Sequence, residues 1–177
     1  MSKGIKILVY SAMCIALASL TSMIKVFEFP TGGSITLAST LFGILPGFFF
    51  GPVVGITAGF AHGILQFFLG PYVLTPVQVF LDYGLGFAAF GLSGFFASRK
   101  FGLYKGYIAA CIGRWFFTFL SGWIFFGEYA WEGWNAAAYS AVYNIIYITG
   151  EAVVVLILIS IPAVQHAIYR VKAMANS

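Results

Sequence analysis

Residues 136–164, AAAYSAVYNIIYITGEAVVVLILISIPAV, run for 29 positions with one charged side chain, Glu151. A helix of that length rises about 43 Å, more than the roughly 30 Å of hydrocarbon in a bilayer. Five further apolar stretches precede it, over 5–26, 35–50, 52–69, 76–98 and 106–126, with little sequence between them. The runs are continuous rather than alternating, which favours helices over a β-barrel. The expected fold is therefore an all-α integral membrane protein: one membrane domain over residues 1–177, built as a bundle of six transmembrane helices.

Composition agrees. The chain is 61% hydrophobic and 8% charged, with a mean hydropathy of +0.97, too little polar surface to cover a water-soluble globule. The second and third stretches meet at Phe50-Gly51-Pro52, a candidate tight turn. The glycine runs 43–51 and 55–63 suit helices whose backbones approach closely.

Lys3 and Lys6 precede the first span, Arg99, Lys100 and Lys105 lie between the fourth and fifth, and Arg170 and Lys172 follow the sixth. With six spans these groups share one side, which the positive-inside rule makes cytoplasmic, together with both termini. The pI of about 9.1 thus reports topology, and nucleic acid is not an expected partner. A signal peptide is the competing reading of the N-terminus, through Ala16-Leu17-Ala18, but the apolar run continues past that site to Ile24. Cys14 and Cys111 fall inside spans as packing residues, and no Cys/His cluster has metal-ligand spacing. Neither metal nor cofactor is expected.

Polar groups inside hydrocarbon are costly, so each is a functional candidate. At 1.5 Å per residue, Asp82 lies about 9 Å below the outer face, and Asn144 and Thr118 about 12 Å below it. Tyr83, Tyr139, Gln66 and Gly122 sit at similar or shallower depth, with His62 just beneath. This layer collects a carboxylate, an amide, hydroxyls, an imidazole and aromatic faces from several helices, the make-up of a small-molecule pocket loaded from outside. Two readings stand for some members: Tyr72 and Tyr129 also fit an interfacial aromatic belt, and His62 and Gln66 also fit bonds to a neighbouring helix. Asp82 needs a partner, and no Lys or Arg lies at its level. Arg114 and Glu151 fall about 12 Å and about 9–10 Å above the inner face on adjacent helices, which predicts a structural ion pair. Ala12 and Ala16 form a small-xxx-small face suited either to docking another helix or to packing within the bundle.

Several of these residues stand in motifs. The run Tyr72-Val73-Leu74-Thr75-Pro76-Val77-Gln78 with Leu81-Asp82-Tyr83, the run Pro30-Thr31-Gly32-Gly33-Ser34, the segment from Arg114 to Gly122, and Tyr139-Ser140 with Asn144 together resemble the thiamine-specific substrate-binding (S) component of energy-coupling factor (ECF) transporters. The resemblance covers most of the chain in order and spacing. It implies a non-enzymatic vitamin-binding subunit of a bacterial cytoplasmic membrane, docking on a transmembrane scaffold subunit and two ATPase subunits. The chain itself has no G-x-x-x-x-G-K-[ST] pattern. By position the resemblance implies that Asp82 faces the aminopyrimidine, with Tyr83 beside it, that Tyr72 and Phe126 supply aromatic walls, and that Tyr139 and Asn144 bond ligand polar groups. It also assigns Ala12 and Ala16 to the scaffold contact. Thr118 stands where the family commonly has histidine, Ala130-Trp131-Glu132-Gly133-Trp134 departs from the usual pattern, and Glu151 is unexpected. A vitamin B6 form or a hydroxymethylpyrimidine is the alternative ligand, and a stand-alone secondary transporter using Asp82, Glu151 and His62 is the alternative mechanism. No nucleophile–base pair points to an enzyme.

Overall fold

The computed structural model describes residues 2–29, 33–70 and 72–177. Its elements are α1 (Lys3–Ser22), a hairpin of β1 (Lys25–Glu28) and β2 (Ser34–Thr36), α2 (Ser39–Phe50), α3 (Pro52–Leu69), α4 (Pro76–Phe96), α5 (Gly102–Phe125), α6 (Ala136–Ser160) and α7 (Pro162–Asn176). Among the described residues, five helices are long and apolar enough to cross a bilayer, namely α1, α3, α4, α5 and α6.

Three expected boundaries move. The first span stops at Ser22, where Met23 caps the helix, and the chain turns into the antiparallel hairpin that pairs Phe27 with Ile35 and Glu28 with Ser34. The second expected span, 35–50, is a strand end followed by the 12-residue α2. Twelve residues rise only about 18 Å, and α2 is buried almost throughout, so it is a core helix inside the bundle. The sixth expected span reaches Val164, but the helix ends at Ser160 because Pro162 cannot donate an amide to continue it and instead opens α7.

Local chemistry sets the other boundaries. Asn135 caps α6 by accepting the Ala138 amide at 2.8 Å, and Thr75 caps α4 by accepting the Gln78 amide at 3.1 Å, with Pro76 at the first turn. Gly51 (φ 95°) makes the turn between α2 and α3 that Phe50-Gly51-Pro52 predicts. Lys6 Nζ donates to the Ser177 main-chain oxygen at 2.5 Å and Lys172 Nζ to the Ala97 carbonyl at 2.6 Å. Both termini and the α4–α5 turn therefore share one end of the bundle. The α3–α4 loop meets the segment after α5 at the other end, where the Tyr72 hydroxyl donates to that of Tyr129 at 3.0 Å.

The core gathers around α2: Ile44 and Phe48 pack with Phe90 of α4, Leu103 and Tyr107 of α5, and Val155 and Ile159 of α6. Beside it, α3 and α4 nearly touch along glycines. A Cβ at Gly55 would lie 2.5 Å from the Gly47 Cα and 2.7 Å from the Gly91 Cα. One at Gly63 would overlap the Tyr83 carbonyl. Opposite Gly63, α4 widens into a π-helical turn over Phe80–Leu85, the kind of local irregularity that helices carry at functional sites. That turn presents Asp82 and Tyr83.

Gly55→Ala should therefore lower stability in detergent by about 1–3 kcal/mol, an overpacking cost, while Gly4→Ala, which meets nothing within 4 Å, should not. Thermal unfolding of the two variants checks this, and equal midpoints would refute the close approach.

Candidate functional site

A cavity of about 740 Å³ opens between the hairpin, the start of α2, α3, the loop after it, α4, α5 and α6. Asp82, Tyr83, Tyr72, Thr118, Gly122, Phe126, Tyr139, Asn144, His62 and Gln66 all line it, as do Arg114 and Glu151. The sequence layer thus becomes one chamber. Of the motif at 30–34, residues 30–32 lie outside the described residues; Gly33, with φ +83°, and Ser34 line the wall.

Asp82 has a partner that the sequence reading missed. Gln78, one helical turn earlier and 1% exposed, donates from Nε2 to Asp82 Oδ2 at 2.6 Å. The same nitrogen donates to the Tyr72 carbonyl at 3.2 Å, and Gln78 Oε1 accepts the Leu74 amide at 3.0 Å. Spacing i, i+4 on α4 was the available signal. Tyr83 accepts the Tyr72 amide on its hydroxyl at 3.0 Å and stacks along Phe87. Tyr72 stacks on Phe126 with centroids 5.6 Å apart.

The polar groups of α5 and α6 are partly engaged with the protein. Asn144 Nδ2 donates to the Ser140 carbonyl at 2.8 Å and the Thr118 carbonyl at 3.3 Å, while its Oδ1 accepts from the Tyr147 hydroxyl at 2.9 Å. Thr118 donates its hydroxyl back to the carbonyls of Arg114 and Trp115, at 3.0 and 3.2 Å. Gly122 lets α6 close on α5, since a Cβ there would overlap Ser140 Oγ. Tyr139 meets Trp131 edge-on at 5.2 Å. His62 and Gln66 line the cavity, and Gln66 bonds the neighbouring helix, its Nε2 donating to Ser22 Oγ of α1 at 2.8 Å, while its contact with His62 Nε2 at 3.0 Å stays within α3.

The predicted Arg114–Glu151 ion pair does not form; among the described residues the pair is Lys25–Glu28, at 2.6 Å. Glu151, 5% exposed, faces the start of α2 instead. Its Oε1 accepts the Thr40 amide at 2.9 Å, the Thr40 hydroxyl at 3.0 Å and the Ser39 hydroxyl at 3.1 Å, and its Oε2 the Thr36 amide at 3.3 Å. A carboxylate at a helix N-terminus gains from free amides and the helix dipole together, so Glu151 is satisfied without a cation. Arg114 lies with Cζ 4.2 Å from the Phe87 ring centroid and 5.3 Å from that of Phe90, a cation–π arrangement. Its Nη1 has no hydrogen-bond partner among the described residues.

Other lining residues escaped the sequence reading. Tyr143 and Tyr147 extend Tyr139 and Glu151 into one i, i+4, i+8, i+12 face of α6, a period legible in the sequence, and Phe29 of the hairpin packs on both tyrosines. With the Lys25–Glu28 pair set aside, the cavity holds two carboxylates, Asp82 and Glu151, against one guanidinium, Arg114. Its formal charge is one negative. On α1, Ala12 and Ala16 are exposed while Ser11 and Ala18 face inward.

The family described as "Thiamine transporter protein (Thia_YuaJ)" matches residues 8–170. The chain belongs to this thiamine transporter family. It is 32% identical over 164 residues to "Thiamine transporter ThiT" of Bacillus subtilis (strain 168), covering 85% of this chain and 84% of that one. It is 33% identical over 111 residues to a protein of the same name from Lacticaseibacillus paracasei, covering 53% and 55%. Its structure superposes on that of ThiT from Listeria monocytogenes with a TM-score of 0.86 at 25% identity, over 97% of this chain and 99% of that one. As a member of a transporter family with five spanning-length apolar helices, the chain is a multi-pass cell-membrane protein and not an enzyme.

Because Glu151 and Arg114 have separate partners, Glu151→Gln and Arg114→Met should alter thermal stability additively, Glu151→Gln costing about 1–3 kcal/mol. A double-mutant coupling well above about 0.5 kcal/mol would reinstate the ion pair.

Proposed function

We propose that this chain is the vitamin-binding S component of an ECF-type importer, a single membrane domain with cytoplasmic termini and six membrane segments, α2 serving as the short second. It captures thiamine from outside and relies on partner ATPases for energy. The observation that carries this is the match between cavity and ligand. A chamber with one net negative formal charge and aromatic walls suits a monocation with two flat rings. Asp82 accepts hydrogen bonds from the aminopyrimidine, since a carboxylate is an acceptor matched to a ring amine, and Tyr72, Phe126 and Tyr139 flank the rings. Tyr83, Thr118, Gly122, Asn144, His62 and Gln66 complete the wall. Arg114 and Glu151 set the charge of the deeper half.

Seven of the nine Lys and Arg residues belong to the end that carries both termini and the α4–α5 turn, which supports the cytoplasmic assignment of that end. The opposite end, bearing the hairpin and Tyr72, then faces outward and loads the ligand. The names of the Bacillus and Lacticaseibacillus relatives support thiamine as the cargo. For coupling, the exposed alanines Ala12 and Ala16 are flanked by exposed Leu8, Val9, Met13 and Leu17. This apolar face with small residues at its centre allows close approach of a scaffold helix.

Calorimetric titration of the detergent-purified protein should give saturable thiamine binding that Asp82→Ala weakens by at least about 1.5 kcal/mol, the scale of a hydrogen bond to a charged group. Heat with pyridoxine and none with thiamine would overturn the ligand. Ala12→Trp or Ala16→Trp should abolish uptake by the complete complex and leave thiamine binding by the isolated chain intact. Joint loss of both would return these residues to internal packing, and proton-driven uptake by vesicles holding only this chain would replace the importer reading altogether.

A further inference from the structure

Gln78 has every polar atom of its side chain committed to two neighbours: the loop at the mouth of the cavity and the carboxylate inside it. Its Oε1 accepts the Leu74 amide at 3.0 Å. That bond identifies the oxygen end and fixes Nε2 as the end facing Asp82, because an amide nitrogen offers no acceptor to a backbone N–H. Nε2 then donates one proton to Asp82 Oδ2 at 2.6 Å and the other to the Tyr72 carbonyl at 3.2 Å. The side chain is 1% exposed, so water does not compete for these bonds. It cannot flip without setting donor against donor at the Leu74 amide and acceptor against acceptor at both Asp82 and the Tyr72 carbonyl.

We infer that Gln78 holds Asp82 as a pure acceptor and thereby selects an amino group over an oxo group at the ligand position Asp82 faces. This rests on the reading of Asp82 as the carboxylate that meets the ligand. An N–H donated to Oδ2 at this distance stabilises the charged carboxylate more than the neutral acid, whose oxygens are weaker acceptors. The carboxylate consequently presents lone pairs to the cavity, attracts a ligand amine and repels a ligand carbonyl. With the amide removed, the carboxylate loses that stabilisation and takes up a proton more readily, and a carboxylic acid donates to a carbonyl where a carboxylate accepts from an amine. Discrimination of this kind is large because the wrong ligand leaves a buried polar group facing its like. Gln78 is thus a positioning and specificity residue that acts through Asp82. Through Tyr72 and Leu74 it also ties the shape of the mouth to that carboxylate.

The test is the ratio of thiamine affinity to that of oxythiamine, which carries an oxo group in place of the pyrimidine amine, measured on the purified full chain. The unaltered protein should prefer thiamine by at least about 30-fold, the scale of one charge-assisted hydrogen bond. Gln78→Leu should narrow the ratio to below about 5-fold, chiefly by improving oxythiamine relative to thiamine. Gln78→Glu keeps an oxygen for the Leu74 amide but makes the two carboxyl groups share a proton. It should narrow the ratio likewise, and it carries the test if the leucine variant does not fold. Equal losses for both ligands, with the ratio unchanged, would overturn the role of Gln78 and leave Asp82 in place. An Asp82→Asn variant that binds thiamine as tightly as the unaltered protein would overturn the reading of Asp82 and the inference with it.

Discussion

A charge placed in hydrocarbon must find a partner or give up its charge, and Glu151, Arg114 and Asp82, which line this cavity, meet that constraint in three ways. Glu151 is bound by two amides and two hydroxyls at the beginning of α2. Arg114 lies on the faces of Phe87 and Phe90. Asp82 takes a hydrogen bond from Gln78 and lines the cavity. Of the two carboxylates, Asp82 has the fewer protein donors, and that asymmetry is what the proposed binding role rests on.

The walls need the same economy of space. Glycines 55 and 63 of α3 bring its backbone against α4, and α4 responds with a π-helical turn at Phe80–Leu85. This turn re-aims Asp82 and Tyr83 at the cavity, while Gln78, in the regular turn before it, remains within reach of Asp82. Gly122 does for α5 and α6 what the α3 glycines do for α4, admitting Ser140 and Asn144 to the edge of the chamber. Small residues here are conditions for the site as much as for the fold.

Much of this was legible in the sequence because hydrocarbon leaves few options for a polar side chain. Depth along apolar runs put Asp82, Thr118, Tyr139 and Asn144 at one level, and they line one cavity, since helix rise is fixed and one-dimensional. Azimuth was harder. Arg114 and Glu151 stand at one level and line one cavity, yet their nearest partners lie elsewhere, because the start of α2 inserts beside Glu151. Nothing in the apolar run 35–50 marked where the strand ends and the buried 12-residue helix begins. The pairing of β1 with β2 was hidden for the same reason, Val26, Ile35 and Thr36 reading as membrane sequence. Gln78 sat inside a quoted motif, but its role depends on the loop folding back over it, a tertiary fact that spacing alone does not carry.

The proposed function places a compact cation in the chamber with its amine on Asp82. A structure of the protein with thiamine bound tests that most directly. It should show the pyrimidine amine within about 3.2 Å of an Asp82 carboxylate oxygen, with the rings among Tyr72, Phe126 and Tyr139. Thiamine bound outside this cavity, or inside it with Asp82 facing no ligand donor, would contradict the account.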